Sequence, residues 1–354
     1  MEKRECDLYT KSEDGSTDVT CTCCNWRCTI PEGDHGKCGV RYNKDGKLYL
    51  SVYGYPCALH VDPVEKKPLH HFLPNTDIFS VGTIGCNFKC TFCQNWDISQ
   101  AALMFDEQNK EQSGDIEDLV VNIQGTGYEA TPEQVVTNAI RKGCKSLAYT
   151  YNEPSIWAEY SHDIGLLGIE KGLRGVYVTN GFMTPEHLKY IKPYVSALNI
   201  DLKSFSPKFY RNTCFGGLEG VKKSIQLAHE MGFWVEVTTL IIPDSNDSDT
   251  ELEQIASFLY SVSPSIPWHI SAFHPDYKMT DKTRTPKETL QRAYDIGKRV
   301  GLKYIYMGNV SGAANTYCPK CNELLIERHG YSVRVKKGFK GTCTCGEVIE
   351  GIWE

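Results

Sequence analysis

The sequence has no apolar run close to the roughly 18 residues that a membrane-spanning helix requires. Its first residues, Met1-Glu2-Lys3-Arg4-Glu5, are not followed by the apolar segment of a secretory signal. It also lacks an excess of basic residues, since 38 Lys and Arg stand against 44 Asp and Glu and give a formal net charge of −6. The basic patch that is typical of nucleic-acid binding is therefore not expected. Together these absences predict a soluble, cytoplasmic protein with no membrane or nucleic-acid partner.

The chain is instead rich in cysteine. Of its 354 residues 16 are cysteine, while 41% are hydrophobic and 23% are charged, which is ordinary for a folded protein and excludes disorder as the main state. A reducing compartment does not favour disulfides, so the cysteines are expected to bind metal or serve redox chemistry. Their clusters suggest an N-terminal cysteine-rich module (1–70), a central domain (71–312) and a C-terminal module (313–354).

Short β-branched and aromatic runs alternate with helical stretches through the central domain. Such alternation predicts βαβ units around a buried parallel sheet. Thr131-Pro132-Glu133 and Thr184-Pro185-Glu186 each supply an N-cap threonine and a proline at the first helical position. We therefore expect an α/β fold with a complete or partial barrel, whose site lies at the carboxyl ends of the strands. The predicted strands are 77–84, 146–150, 175–179, 197–201, 233–242, 268–273 and 304–307.

Residues 100–131 interrupt this alternation. Seven acidic side chains stand there against Lys110 alone, so the segment carries as much net charge as the whole chain. We interpret it as a solvated acidic insertion, with a lid or docking surface as the alternative. Within it 119–124 is strand-like and 125–130 reads G-x-G-x-x-A. A nicotinamide site is disfavoured, because Thr131-Pro132 starts the helix only after the third small residue.

The central cysteine cluster is the most specific motif. Cys86, Cys90 and Cys93 form C-x3-C-x2-C directly after the first predicted barrel strand. Three thiolates on one short loop can hold three irons of a [4Fe-4S] cluster and leave the fourth iron open. S-Adenosylmethionine can chelate that iron through its amino and carboxylate groups, and one electron then breaks the sulfonium bond to give a 5′-deoxyadenosyl radical. A zinc site completed by His70 or His71 is the alternative.

These residues resemble the radical S-adenosylmethionine superfamily. Residues 85–96 are similar to its pyruvate formate-lyase activating enzyme branch, and residues 56–63, 65–69 and 149–154 are similar to the AmmeMemoRadiSam-type subgroup. The resemblance covers roughly residues 20–350. It implies a partial (β/α)6 TIM-like barrel that binds one [4Fe-4S] cluster and S-adenosylmethionine, and it implies a reducing electron donor such as ferredoxin or flavodoxin.

Polar residues at later strand ends match positions where the family binds S-adenosylmethionine. In the family, the turn after the second strand holds the methionyl amino group, and this sequence has a matching turn there. An amide follows the third strand, and an Asp-x-Lys pair that matches a family cofactor contact ends the fourth. A histidine follows the sixth strand, where the family has one near the adenosine. Each of these features also has an alternative that involves no cofactor. In the same order, the alternatives are a helix-capping turn, an Asn-Gly turn, a surface ion pair and a structural histidine. The residues are Asn152, Glu153, Asn180, Asp201, Lys203 and His274.

The two terminal clusters each offer four thiolates. The N-terminal set can enclose a tetrahedral zinc or a second iron–sulfur cluster, with Cys23 as a substitute ligand, and a site without metal is also open. The C-terminal set brackets a predicted hairpin at 324–335 and is similar to a zinc ribbon or rubredoxin knuckle. Only Thr344 separates its last two cysteines, so a ribbon without metal is the alternative. The sets are Cys21, Cys24, Cys28 and Cys38, and Cys318, Cys321, Cys343 and Cys345.

We expect a radical enzyme that cleaves S-adenosylmethionine and abstracts hydrogen from a protein or small-molecule substrate. The family branch implies a glycyl-radical enzyme as substrate, whereas the subgroup implies association with Memo-type or AMMECR-type proteins. A non-enzymatic module with several zinc ions is the competing class, because both ends are ribbon-like. Cys214 follows the strand that ends at Asp201, and we interpret it as a buried, inert cysteine or as a substrate-side thiol.

Overall fold

The computed structural model describes residues 3–312 and 314–354. Short antiparallel strands form small sheets in its N-terminal part, and the loops between them carry the N-terminal cysteines. The strands are β1 (Arg4–Glu5), β2 (Tyr9–Lys11), β3 (Val19–Cys21), β4 (Thr29–Ile30), β5 (Arg41–Lys44) and β6 (Lys47–Leu50). β1, β6 and β5 form one sheet, and β2, β3 and β4 form another.

The central part is built on one larger sheet. Its strands are β7 (Ala58–Pro63), β8 (Asp77–Gly82), β9 (Ser146–Tyr149), β10 (Arg174–Thr179), β11 (Val195–Asp201), β12 (Trp234–Ile241), β13 (Trp268–Ala272) and β14 (Ile305–Gly308). They lie side by side in chain order, and those from β8 to β14 run parallel. β7 pairs antiparallel with β8 at one edge.

Helices connect the parallel strands. They are α1 (Trp96–Ser99), α2 (Ala101–Glu111), α3 (Ile116–Gln124), α4 (Pro132–Arg141), α5 (Ala158–Glu170), α6 (Pro185–Ile191), α7 (Pro207–Phe209), α8 (Leu218–Glu230), α9 (Asp249–Val262) and α10 (Lys287–Val300), with 3-10 turns at Val64–Lys66 and Pro154–Trp157 and a π-helical turn at Tyr210–Cys214. Within the described residues, six parallel strands are each followed by a helix and β14 is the seventh. The predicted α/β fold with a partial (β/α)6 barrel is confirmed.

The predicted helix starts are also confirmed. Thr131 accepts a hydrogen bond from the backbone of Gln134 at 3.3 Å and precedes α4, and Thr184 caps α6 through the backbone of His187 at 3.1 Å. The strands between the helices are almost wholly buried, as expected for a parallel sheet covered on both faces.

Five of the seven acidic side chains of the acidic segment are exposed, namely Glu107, Glu111, Asp115, Asp118 and Glu129, and its interpretation as a solvated insertion stays a prediction. Most of the segment forms α2 and α3. The prediction that 119–124 is strand-like is wrong, because those residues lie in α3. Leu119, Val120 and Ile123 are buried in this helix. A short apolar run fits a buried helix as well as a strand, so its composition alone does not distinguish the two. Asp106 binds His35 at 3.0 Å, so acidic side chains attach the segment to the N-terminal part.

The C-terminal part contains β15 (Thr316–Tyr317), β16 (Leu324–His329) and β17 (Ser332–Val335), and the predicted hairpin at 324–335 is confirmed. The chain then returns to the amino ends of the barrel strands. Ile352 pairs with Phe72 and packs on a small core there, and the buried Arg328 donates to the His70 carbonyl at 2.6 Å. The module limits at 70 and 312 stay predictions, although β7 already belongs to the main sheet.

Candidate active site and metal centres

A cavity of about 460 Å³ opens at the carboxyl ends of the parallel strands. This is the face on which the site of a βα barrel is expected. The cavity is large enough for a small organic ligand rather than a single ion. The predicted residues that line it are Cys86, Cys90, Cys93, Asn152, Glu153, Asn180, Asp201 and Lys203.

The loop with the three central cysteines is held by backbone hydrogen bonds. Lys89 N donates to the Cys214 carbonyl at 3.0 Å, and Thr91 N donates to the Thr213 carbonyl at 3.0 Å. These contacts fasten the loop to the π-helical turn, a rare conformation that is frequent at functional sites. The loop is therefore positioned by the strand that ends at Asp201 as well as by β8.

Gly85 leads into this loop in a conformation that favours glycine. Its φ is 91°, and a Cβ added there would lie 2.9 Å from the carbonyl oxygen of Cys38. Asn152 reaches the same point, because its side-chain amide donates to the Gly85 carbonyl at 2.9 Å and its oxygen accepts from the Trp157 indole at 3.2 Å. The turn after β9 thus fixes the start of the cysteine loop.

The spacing of the central sulfur atoms fits a cluster better than a single ion. Among the described residues, a group of ligand atoms all within 4.8 Å of one another occurs at the C-terminal cysteines and not at the central motif. Zinc bound by four thiolates at 2.3 Å would hold the sulfur atoms about 3.8 Å apart. In a cubane each cysteine binds a different iron, so the thiolates stand farther apart. The motif therefore fits the [4Fe-4S] cluster that its sequence predicts.

The histidines of the zinc alternative do not join the motif. His71 is fully buried, with its ring nitrogens 2.8 Å from the Glu350 carbonyl and 2.6 Å from the Tyr306 hydroxyl. The ring of His70 packs against those of Tyr306 and His269. Neither histidine is among the described residues that line the cavity. A zinc site completed by either one is not supported.

Cys214 lies against the cysteine loop and is fully buried. A hydrogen bond with its thiol lowers the pKa of Cys90 although burial opposes the thiolate, and the charge of Lys203 acts in the same direction. Burial and the neighbouring Cys90 raise the pKa of Cys214 itself. This position agrees with the interpretation of Cys214 as a buried cysteine. Of the two thiols, that of Cys90, which belongs to the motif, is the one favoured as a thiolate.

Glu153 is buried at the turn after β9 and binds polar groups on two strands. Its carboxylate accepts from Ser155 N at 3.0 Å, from the Thr179 hydroxyl at 2.7 Å and from Asn180 N at 2.7 Å. The capping turn weighed as an alternative is therefore present, and the side chain lines the cavity as well. Burial raises the pKa of Glu153. A carboxylate has about four acceptor positions, so it retains capacity for a ligand ammonium group.

Asn180 connects the third strand end to the cysteine loop. Its side-chain amide donates to Asn87 Oδ1 at 2.7 Å, and its oxygen accepts from Phe182 N at 3.0 Å. Sequence reasoning gave Asn87 no role, although it follows Cys86 directly. Asn87 Nδ2 is buried and has no hydrogen-bond partner among the described residues. Such an unpaired donor is costly unless a bound group accepts from it.

Asp201 and Lys203 form an ion pair inside the cavity rather than at the surface. The carboxylate and ammonium are 2.6 Å apart, and only 14% of the Lys203 side chain is exposed. The ammonium also lies 5.9 Å from the centre of the Phe92 ring. Burial opposes the charge of Lys203, but Asp201 and the Cys90 thiol outweigh it and raise its pKa well above the usual range. The pair offers one charge of each sign to a zwitterionic ligand.

The structure does not bring every predicted residue to the cavity. His274 is exposed, its Nδ1 lies 3.3 Å from the Pro275 carbonyl, and it is not among the described residues that line the cavity. The predicted contact of His274 with adenosine therefore has no support from the geometry.

Other cavity residues were missed by sequence reasoning. Tyr151 and Lys67 both donate to Asp62, at 2.7 and 2.6 Å, and line one wall. Tyr331, at the turn of the C-terminal hairpin, reaches the cavity from a distant part of the chain. The segment Glu65 to Leu69 was a signal for Lys67, since it carried part of the family resemblance. No local signal existed for Tyr331.

The N-terminal cysteines surround a buried pocket of their own. Cys21, Cys24, Cys28 and Cys38 line it, as Cys23 does, and all remain free thiols. Cys23 faces a different environment, because its sulfur contacts the Ser155 carbonyl and lies 3.6 Å from His187 Nδ1. The sequence therefore identified one site, and in the structure the fifth thiol, Cys23, lines it as well and is hydrogen-bonded to Cys21.

The C-terminal cysteines form a compact group of four. Cys318, Cys321, Cys343 and Cys345 place all their sulfur atoms within 4.8 Å of one another, and two of the pairs are 3.6 Å apart. This spacing is close to that of thiolates around one zinc ion. The single residue between Cys343 and Cys345 does not prevent the arrangement. Glu323 adds contacts at the rim, 3.2 Å from Cys343 Sγ.

Replacing Cys343 with alanine is expected to remove about one zinc ion per chain, because structural zinc needs its four ligands. Metal content measured by mass spectrometry after loading with zinc tests this, with Cys144→Ala as the matched control at a buried cysteine outside the clusters. Equal zinc in the two variants would show that this group does not bind the ion.

Comparison with known families agrees with the motif. Residues 80–259 match the model of the Radical SAM superfamily, a span that is half of the chain and includes the cysteine motif, Glu153, Asn180 and Lys203. The chain belongs to this superfamily. Its members use a [4Fe-4S] cluster and S-adenosylmethionine, and the donor set described above fits both.

Relatives share much of the chain. The uncharacterized protein MJ0808 of Methanocaldococcus jannaschii is 40% identical over 353 residues, which cover 98% of this chain and 99% of that protein. MJ1632 of the same organism, whose name proposes a glycyl-radical enzyme activating enzyme, is 24% identical over 240 residues, 67% of this chain and 80% of that one. A radical SAM methyltransferase from Sphaerobacter thermophilus superposes with a TM-score of 0.48 at 14% identity, over 91% of this chain and 81% of that one.

None of the helices in the described residues has both the length and the apolar character needed to cross a membrane.

Proposed function

We propose that this chain reductively cleaves S-adenosylmethionine and uses the resulting 5′-deoxyadenosyl radical to abstract hydrogen from a substrate. The observation that carries the proposal is the meeting of three motif cysteines with a partly buried ion pair in one cavity at the strand ends. When bound, the cluster supplies the electron that breaks the sulfonium bond and yields methionine. Superfamily membership supports this chemistry.

The residues around the cavity divide the remaining tasks. Cys86, Cys90 and Cys93 would hold the cluster, and the ion pair of Asp201 and Lys203 would receive the charged methionyl end of S-adenosylmethionine. Phe88 and Phe92 line the same cavity, so apolar rings displace water next to the motif. Excluding water protects a reactive radical from side reactions.

Anaerobic reconstitution of the full chain with iron and sulfide tests the proposal. We expect a coloured protein that, with dithionite and S-adenosylmethionine, forms 5′-deoxyadenosine and methionine in equal amounts. A colourless protein that holds zinc at all three cysteine sites and forms neither product would contradict it. That result would instead support the non-enzymatic multi-zinc module.

Replacing Lys203 with methionine is expected to weaken S-adenosylmethionine binding by about 10- to 100-fold, the range for losing a charge-assisted hydrogen bond. Equilibrium binding to the reconstituted protein measures the effect, and iron content shows whether the cluster is intact. Lys208→Met, on the exposed side of α7, is the matched control. Unchanged affinity in Lys203→Met would remove this residue from the cofactor contacts.

For the substrate, we propose hydrogen abstraction from a glycine α carbon of a partner protein. The name of the relative MJ1632 supports this class. The hydrogen atom moves from the partner to the 5′ carbon, so a deuterated glycine should place deuterium in 5′-deoxyadenosine. Candidate partners are a glycyl-radical enzyme and, as the alternative, Memo-type or AMMECR-type proteins. Deuterium from a partner residue other than glycine would overturn the glycyl assignment while leaving the radical chemistry in place.

A further inference from the structure

The pocket at the N-terminal cysteines combines five thiols with strong burial. Cys21, Cys24 and Cys38 are at most 8% exposed, and Cys28 is partly buried. Free thiols are rarely gathered in this number without a metal, since one buried cysteine behaves simply as a small apolar residue. A group of them around one pocket indicates soft ligands for a metal centre.

Local turns direct four of these thiols toward the pocket. Cys21 ends β3, and its backbone N donates to the Cys28 carbonyl at 2.9 Å, which closes the loop between them. Arg27 N donates to the Cys24 carbonyl at 3.0 Å, and Arg27 has a φ of 44°, so a tight turn lies inside that loop. The fifth thiol, Cys23, is hydrogen-bonded to that of Cys21 and also contacts the Ser155 carbonyl and His187.

Like the central motif, and unlike the C-terminal group, the N-terminal thiols among the described residues do not form a tight group of sulfur atoms. In the described residues, the N-terminal thiols line one pocket but supply no three ligand atoms within 4.8 Å of one another, whereas the C-terminal thiols do. One chain thus contains both patterns. The tight pattern suits a single zinc ion, and the open pattern suits a cluster in which each thiolate binds its own iron.

The N-terminal pocket borders the catalytic loop through Asn87. This residue follows Cys86, lines the N-terminal pocket and accepts from the Trp26 indole through its carbonyl at 2.8 Å. Its buried side chain lies against the Cys24 thiol, which places an amide donor beside a bound cluster. The predicted clash between a Cβ on Gly85 and the Cys38 carbonyl shows a second close approach.

We propose that Cys21, Cys24, Cys28 and Cys38 hold a second [4Fe-4S] cluster, closed to substrate, that serves as a one-electron carrier beside the catalytic loop. Its presence is independent of the proposed function, and its role rests on that function. The carrier accepts one electron from a low-potential donor of the ferredoxin or flavodoxin class and gives up the same electron, so no bond forms or breaks and no proton moves.

Iron and sulfide analysis of the reconstituted full chain tests the proposal. The wild-type protein should bind about eight irons, and a variant with Cys86, Cys90 and Cys93 all replaced by alanine should keep about four. Reduced samples of that variant should still show the EPR signal of a [4Fe-4S] cluster. Loss of all iron in it, or zinc in its N-terminal pocket, would overturn the proposal.

A matched pair of variants within the pocket separates ligands from neighbours. Cys24→Ala should lose about four irons, whereas Cys23→Ala should keep them, because the Cys23 sulfur is already held by the Ser155 carbonyl and His187 and a closed cluster needs only the other four thiolates. Circular dichroism shows whether each variant is folded. Retained iron in Cys24→Ala, with the protein folded, would also contradict the ligand set.

The outcomes distinguish this inference from the proposed function. Four irons retained in the triple variant, with a wild-type protein that does not cleave S-adenosylmethionine, would leave the second cluster and remove the function. A wild-type protein that cleaves S-adenosylmethionine with only four irons would keep the proposed function and remove the second cluster.

Discussion

Replacement of Cys90 by alanine is expected to reduce 5′-deoxyadenosine formation by at least about 10³-fold, the scale seen when a reacting group is removed. Cys90 is the motif residue whose thiolate is favoured most, by the Cys214 thiol and by Lys203. Without it, two thiolates on the loop cannot hold the cluster with one iron open. Product formation by the reconstituted protein, measured by chromatography, checks this.

The matched control is the neighbouring Cys214, which is fully buried and hydrogen-bonded to Cys90. Cys214→Ala should retain iron and cleave S-adenosylmethionine, with at most a modest change in rate, because it is not part of the motif. If Cys214→Ala lost the iron and Cys90→Ala kept it, the ligand assignment would be wrong.

Replacement of Glu159 by glutamine is expected to lower the free energy of unfolding by about 3–5 kcal/mol, since it leaves the Arg41 charge buried and unpaired. The two side chains form a pair of hydrogen bonds at 2.8 Å each, with only 2% and 0% of the side chains exposed. Glu159 also accepts from Asp7 N at 3.0 Å. It therefore holds the N-terminal strands against α5. Chemical denaturation of the reduced apoprotein measures the change.

Glu170→Gln is the control, because Glu170 ends the same helix and is exposed. Its effect should stay within about 0.5 kcal/mol. A double change, Arg41→Met with Glu159→Met, should recover much of the loss, since replacing both charges by apolar groups removes the unpaired charge. A Glu159→Gln protein as stable as the control would show that the pair contributes nothing.

The sequence predicted the barrel and most of the cavity because both depend on local patterns. A parallel sheet needs continuous apolar strands, and its site needs polar residues where those strands end, so Asn180, Asp201 and Lys203 were found by their positions. The cysteine spacings were equally local. The structure further separates the cysteine group whose sulfur atoms lie close together from the groups whose sulfur atoms do not. The spacing of the cysteines along the chain does not contain this information.

Other features depend on tertiary contacts and could not be predicted. The run 119–124 suits a strand by composition but lies in a helix, whose Glu117 and Gln124 contact Lys44 and the Ser51 carbonyl of the N-terminal part. Tyr331 reaches the cavity only because the hairpin folds back over it. Arg41 and Glu159 are far apart in sequence, and nothing near either residue indicates that they meet in the core.

The return of the chain to the amino ends of the barrel strands has a consequence for biosynthesis. Ile352 and Arg328 complete the surroundings of Phe72 and His70, which are synthesised 280 and 258 residues earlier, respectively. At about 5–20 residues per second, the ribosome needs tens of seconds to produce the intervening segment. During that interval the apolar end of the barrel stays uncovered, so a nascent chain of this protein is a natural client for chaperones that bind exposed apolar surface.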